Sequence, residues 1–256
     1  MLTGIDHIVI LVSDLETAIR NYKQLGFTVA PGGRHPTSTH NALIGFADGA
    51  YLELLAFYQP NPESKWWVKL EQGGGLIDFC LQTDNLLSEI AAFREAGIPM
   101  SDPKPLSRVR PDGYQLSWML STYSGQDQGG VGFLIEDETP REERVPKETQ
   151  HENQVTGIGA MTIAVNDIAT IRRWYASLLR DDGQEIERED LDAAGVRFSI
   201  GPHSFDFVAP KGSAGPLSDW LRDRGPSPYA ATFVTASGKK GPLDEAKTLG
   251  AHLSLV

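Results

Sequence analysis

The chain has 256 residues, 40% hydrophobic and 22% charged, the make-up of an ordinary globular protein of one to two domains. Its 34 acidic against 23 basic residues give a formal net charge of -11, which argues against nucleic acid or an anionic membrane as a partner, because phosphate contacts need a basic face. One cysteine, Cys80, allows no internal disulfide, and the opening MLTGIDHIVILV has no basic leader region and falls far short of the roughly 20 apolar residues of a membrane span, so the expected location is the cytoplasm.

The first element is an apolar strand over Ile5 to Val12 that carries one imidazole, His7. Ser13 or Asp14 then caps a helix with Leu15, Ile19, Tyr22 and Leu25 at helical spacing, and Gly26 stands at its C-terminal cap. Three strand-like runs follow, FTVAPGG, HNALIGF and AYLELLAF, punctuated by glycines and by Asp48-Gly49, which completes a βαβββ unit. The pattern returns in GLIDFCLQTDNLLSEIAAFREAGI, where one offset lays His7 over Asp78, Leu15 over Leu86, Ile19 over Ile90, Tyr22 over Phe93 and Gly26 over Gly97. LSRVR, YQLSWMLS and VGFLIED supply the remaining strands of this second unit.

A third unit opens at TGIGAMTIAVNDIATIRRWYASLL, with Ala160 at the position of His7, Tyr175 at that of Tyr22 and Asp206 at that of Glu53. It keeps the acid and loses the imidazole, so Asp206 is expected to be structural. A fourth start, SPYAATFVTA with LDEAKTLGAHLSLV, stops before its last two strands can form. The charged segment EDETPREERVPKETQHENQVTG has neither apolar period and reads as a linker. The expected fold is therefore α+β, built of tandem βαβββ modules, with a module pair over residues 1–140 and a second, incomplete pair over 155–256.

In the loop and strand GGRHPTSTHNALIGF, Arg34, His35, His40 and Asn41 offer donors to a polar ligand, although two exposed loop histidines would look the same. Arg108 and Arg110 alternate on one strand with Trp118 on the next, a set suited to an anionic or planar ligand. Trp66 and Trp67 are read as packing the connector between modules. No phosphate-binding glycine loop, nucleophile elbow or paired CxxC is present.

Tandem modules opening with DHIVILVSDLETAIRNY and closing with YLELLAF resemble the vicinal oxygen chelate superfamily, particularly its glyoxalase-like branch, closely over residues 3–137 and more loosely over 155–210. The resemblance implies paired modules whose sheets curl into a cup, with metal ligands from the first and last strands of each module and substrate oxygens in the open coordination sites. His7 and Glu53 match the first-module ligand positions, Asp78 stands where the second module usually offers a histidine, and Glu136 lies near the last position, although counting from the preceding glycine puts Leu134 there. Strand alternation sets Asp78 opposite the helix-facing Ile77, Phe79 and Leu81, and groups Glu53 with Tyr51, Leu55 and Phe57, so His7, Glu53, Asp78 and Glu136 can converge.

One imidazole with two or three carboxylates is oxygen-rich and suits Mn or Mg better than Zn or Fe; it is equally compatible with no metal. Two functions follow from the resemblance. One is a divalent-metal-dependent lyase or isomerase acting on a small oxygenated metabolite, with the ion on His7, Glu53 and Asp78 and with Glu53 or Glu136 moving a proton. Dioxygenation fits less well, since ferrous iron takes two histidines and one carboxylate. The other is a metal-free binding protein of the bleomycin-resistance type. In both the partner is a small-molecule ligand, and a homodimer is left open.

Overall fold

The computed structural model of the protein describes residues 2–125 and 130–256. β1 (Leu2–Leu11) leads into α1 (Leu15–Gln24), whose first turn is closed by Asp14, the carboxylate accepting from the Thr17 N–H at 2.7 Å. β2 (Ala30–Arg34), β3 (Thr39–Gly45) and β4 (Tyr51–Phe57) follow, and β4 returns parallel to β1 with Glu53 opposite Val9. A short helix, α2 (Trp67–Glu71), joins this unit to the next: β5 (Gly75–Thr83), α3 (Leu86–Glu95), β6 (Lys104–Val109), β7 (Gln115–Ser121) and β8 (Phe133–Asp137). Here Asn85 is the cap, accepting from Ser88 N–H. The strands close a barrel in the order β1-β4-β3-β2-β6-β7-β8-β5.

After α4 (Arg141–Arg144) the chain forms β9 (Val155–Ala164), α5 (Ile168–Leu179), β10 (Gln184–Arg188), β11 (Ala193–Ile200) and β12 (His203–Pro210). It then adds α6 (Pro216–Arg224), β13 (Ser227–Thr235), β14 (Gly241–Pro242), α7 (Glu245–Thr248) and β15 (His252–Leu255). Their strands make a seven-stranded sheet, ordered β10-β11-β12-β9-β13-β15-β14. β15 runs parallel to β13 in the place that β4 takes beside β1 and β8 beside β5. Among the described residues the fourth unit contributes β13, β14 and β15, and this sheet stays open.

Alternation along the barrel strands sorts the core into two clusters. Ile8, Ile10, Phe79 and Leu81 point outward into a large apolar layer shared with the helices and the second sheet, where Phe79 meets Phe205 at 5.6 Å and Phe27 meets Phe233 at 5.9 Å. Val9, Leu11, Leu55, Cys80, Phe133 and Ile135 point inward and fill part of the barrel. Two buried histidines rivet the sheets together. His151 accepts from Thr28 N–H at 3.0 Å and donates to the Gly45 carbonyl at 2.9 Å, and His203 accepts from Ile5 N–H at 2.9 Å. No described helix is long and apolar enough to cross a membrane.

Candidate functional site

β1 and β5 shift register between Ile5 and His7, a bulge that brings the side chains of two sequence neighbours together instead of sending them to opposite faces. Asp6 Oδ1 thus lies 2.6 Å from His7 Nδ1, and Asp6 is fully buried. Burial raises its carboxyl, but the charge of Arg144 and hydrogen bonds from His7 and Arg144 outweigh this and hold it well below the usual carboxylate range. Arg144 grips both oxygens, at 2.9 and 2.8 Å, and Arg141 adds a contact from the rim. An ionised carboxylate can only accept, so His7 carries its hydrogen on Nδ1. Its Nε2 faces the barrel interior, 3.7 Å from Glu53 Oε2. The ring is fixed by stacking on Tyr51 at 4.6 Å and by the edge of Phe133 at 5.3 Å.

Glu53 is oriented in turn by Asn41, whose amide donates to Oε1 at 2.5 Å. Glycine at position 32 makes room for this amide: a Cβ there would lie 1.9 Å from Asn41 Oδ1. The Asn41 oxygen accepts from Gly33 N–H at 3.0 Å and faces the buried Arg108, whose NH1 is 3.4 Å away. Arg108 also donates to the Arg144 carbonyl at 3.0 Å, while its buried Nε has no partner. Burial lowers the pKa of this guanidinium despite the opposing influence of Tyr51 and Glu53. His35 bonds Thr39 at 3.0 Å, and burial, only partly offset by Glu53, takes its pKa down to about 4, so it is neutral near pH 7.

These groups surround an inner chamber of about 50 Å³. Thr37, Thr39, Trp66, Leu106, Leu120 and Phe133 wall both it and an outer, mostly apolar chamber of about 350 Å³.

Of the residues singled out in the sequence, the structure brings together His7, Glu53, His35, Asn41, Arg108 and Trp118 around the inner chamber. Asp78 is placed apart: its Oδ2 accepts from Lys65 at 2.8 Å and Trp66 at 3.1 Å, beside a separate small cavity. Glu136 points to the outer side of β8 and accepts from Leu86 N–H at the start of α3 at 2.9 Å, while Phe133 and Ile135 face inward. Arg34 and His40 turn away onto Tyr58, at 5.0 and 6.0 Å. Arg110 lies at the rim with Asp112 and Glu143. Trp66 is more than connector packing, since it walls both chambers. Asp6, Arg141 and Arg144 were not foreseen. Asp6 is hidden by the bulge, and both arginines belong to the segment read as a linker, where the only signal was the run REER.

Among the described residues Asp6, His7 and Cys80 have ligand atoms that all lie within 4.8 Å of one another, a candidate metal group by distance. Its chemistry does not fit a divalent ion. Asp6 is already paired with Arg144 and Arg141, and burial keeps the Cys80 thiol protonated, whereas a metal takes the thiolate. His7 Nε2 and Glu53 Oε2 make only two donors, one short of a catalytic zinc set, with the cation of Arg108 close behind Asn41.

The model of the glyoxalase-like domain family matches residues 5–179, and the chain belongs to this family. Solved structures share the fold. A hypothetical protein from Staphylococcus aureus is 16% identical with a TM-score of 0.73, the match covering 100% of this chain and 99% of that one. A mutant of 4-hydroxymandelate synthase from Streptomyces coelicolor is 15% identical with a TM-score of 0.61, over 97% of this chain and 74% of that one. A xylose isomerase-like TIM barrel/4-hydroxyphenylpyruvate dioxygenase fusion protein is 16% identical with a TM-score of 0.51, over 91% of this chain and 36% of that one. No curated protein matches the sequence.

Proposed function

We propose that the barrel interior is the active site of an isomerase or lyase that moves a proton on a small oxygenated molecule, with His7 as the group that carries it. The observation behind this reading is the buried Asp6–His7 pair, 2.6 Å apart, which directs a basic Nε2 at the cavity. A C–H beside a carbonyl group gives its proton to Nε2. The imidazolium so formed lies between two carboxylates, Asp6 on one side and Glu53 on the other, and the charge left on the substrate oxygen is met by Arg108. Return of the proton to another face or carbon gives an isomer, and departure of a β-substituent gives a lyase product.

A second reading, a metal-free protein that sequesters its ligand, is favoured by Phe133 and Ile135, which line the β8 side of the chamber with apolar surface only. The two separate in D2O. Incubated with a panel of small 2-oxo and 2-hydroxy acids, the wild type should exchange a carbon-bound proton, followed by NMR, and His7→Asn should not. A ligand that binds without any exchange would favour sequestration.

A further inference from the structure

We infer that the barrel takes a monocarboxylic acid with an apolar, ring-sized body, its carboxylate in the inner chamber against Arg108 and its body in the outer chamber. This rests on the barrel interior being the ligand site, and not on His7 moving a proton. The barrel has two buried arginines with opposite circumstances. Arg144 is neutralised by Asp6 and Asp137. Arg108 has no carboxylate of the described residues within ion-pair reach; it touches an amide oxygen and a main-chain carbonyl, and its buried Nε is unpartnered. Asn41 stands between it and Glu53. A buried cation left in this condition is costly, and the guanidinium fork matches a carboxylate. The hydroxyls of Thr37 and Thr39 line the same chamber and can donate to the same group.

Volume sets the orientation. An apolar cavity of about 150 Å³ is what benzene occupies. The inner chamber, at about 50 Å³, is too small for a ring and large enough for a carboxylate, whereas the outer chamber, at about 350 Å³, takes a ring and its linker. Trp66, Leu106, Leu120 and Phe133 are shared by both chambers, so an acid can thread from one to the other along apolar walls. Lys104 on the outer wall adds positive charge on the approach.

The test is calorimetric titration of the full chain with 3-phenylpropanoate, 3-phenylpropanamide and propanoate. A charged hydrogen bond of the usual strength makes the acid bind about tenfold or more tighter than the amide of the same shape. Arg108→Gln should remove that preference. Thr122→Trp, at a residue that walls only the outer chamber, should weaken phenylpropanoate about tenfold and leave propanoate unchanged, since a buried ring supplies at least that much. Equal affinity for acid and amide, no binding of either, or undiminished acid binding by Arg108→Gln overturns the inference, as does a Thr122→Trp protein that binds phenylpropanoate like the wild type. If Arg108→Gln does not fold, acid against amide on the wild type still decides. Tight acid binding with no proton exchange in D2O would remove the proposed chemistry and leave this assignment standing.

Discussion

Glu53 in the barrel and Asp206 in the open sheet occupy matching places, each on the closing strand opposite a first-strand residue, Val9 in one case and Thr162 in the other. Their surroundings differ. Glu53 is held by a neutral amide and keeps an oxygen toward His7. Asp206 is clasped by Arg197 at 2.6 and 2.7 Å with Arg188 at 3.9 Å, and the place of His7 is taken by Ala160. The module therefore supplies a position for a carboxylate, and the neighbours decide whether it is available. A neutral partner leaves one oxygen free toward the cavity, while two guanidinium groups turn the carboxylate into part of the framework.

The sharpest way to break this comparison is to remove one group from each site. His7→Asn should cut proton exchange by about 10²–10⁴-fold, the usual worth of a positioned general base, while Asp206→Asn leaves the exchange rate as it was. Equal losses in both would mean that the two sites are not different in kind. Arg144→Met comes next. It leaves the buried Asp6 and the half-buried Asp137 without their main counter-charge and should cost about 3–5 kcal/mol in urea unfolding, and more than Arg197→Ala, whose side chain is 40% exposed and which leaves Arg188 beside Asp206.

A smaller effect appears with acid. His35 has a pKa of about 4 in the folded chain against an ordinary 6.5, so the unfolded chain takes up a proton first. Its stability contribution is whole above pH 6.5 and is lost as pH falls toward 4, by at most about 3 kcal/mol. Urea titrations at pH 7 and pH 4.5 should show a loss that is reduced in His35→Asn. Asp6 works in the same direction at lower pH, since its depressed pKa means that its contribution disappears only as pH falls below 3.8.

Much of the architecture was legible because it rests on short-range rules. The cap at Asp14, the helical spacing of Leu15 and Tyr22, and the offset linking Glu53 to Asp206 all reappear in hydrogen bonds and strand register. The site was legible where alternation holds, as for Tyr51, Glu53 and Leu55 on β4. Alternation fails at the bulge, which is why a strict period of two gave no hint that Asp6 would turn back onto His7. Asp78 shows a different limit. Its partners, Lys65 and Trp66, come from the connector just before α2, and no local pattern announces a contact made by a loop folding back. Arg144 is the extreme case, because its pairs join residues 138 apart in the chain.

The segment between the two sheets consequently behaves as a fastening with a defined cutting place. It inserts Arg144 into the barrel's charge network and then His151 between Thr28 and Gly45, with Lys147 and Glu148 exposed in between. Expressed as two polypeptides, the protein keeps both fastenings on the barrel side and the sheet side only when the break falls between Arg144 and His151. A barrel fragment ending at Pro140 would lack the cation that neutralises Asp6, and with it the means of holding His7 in one tautomer.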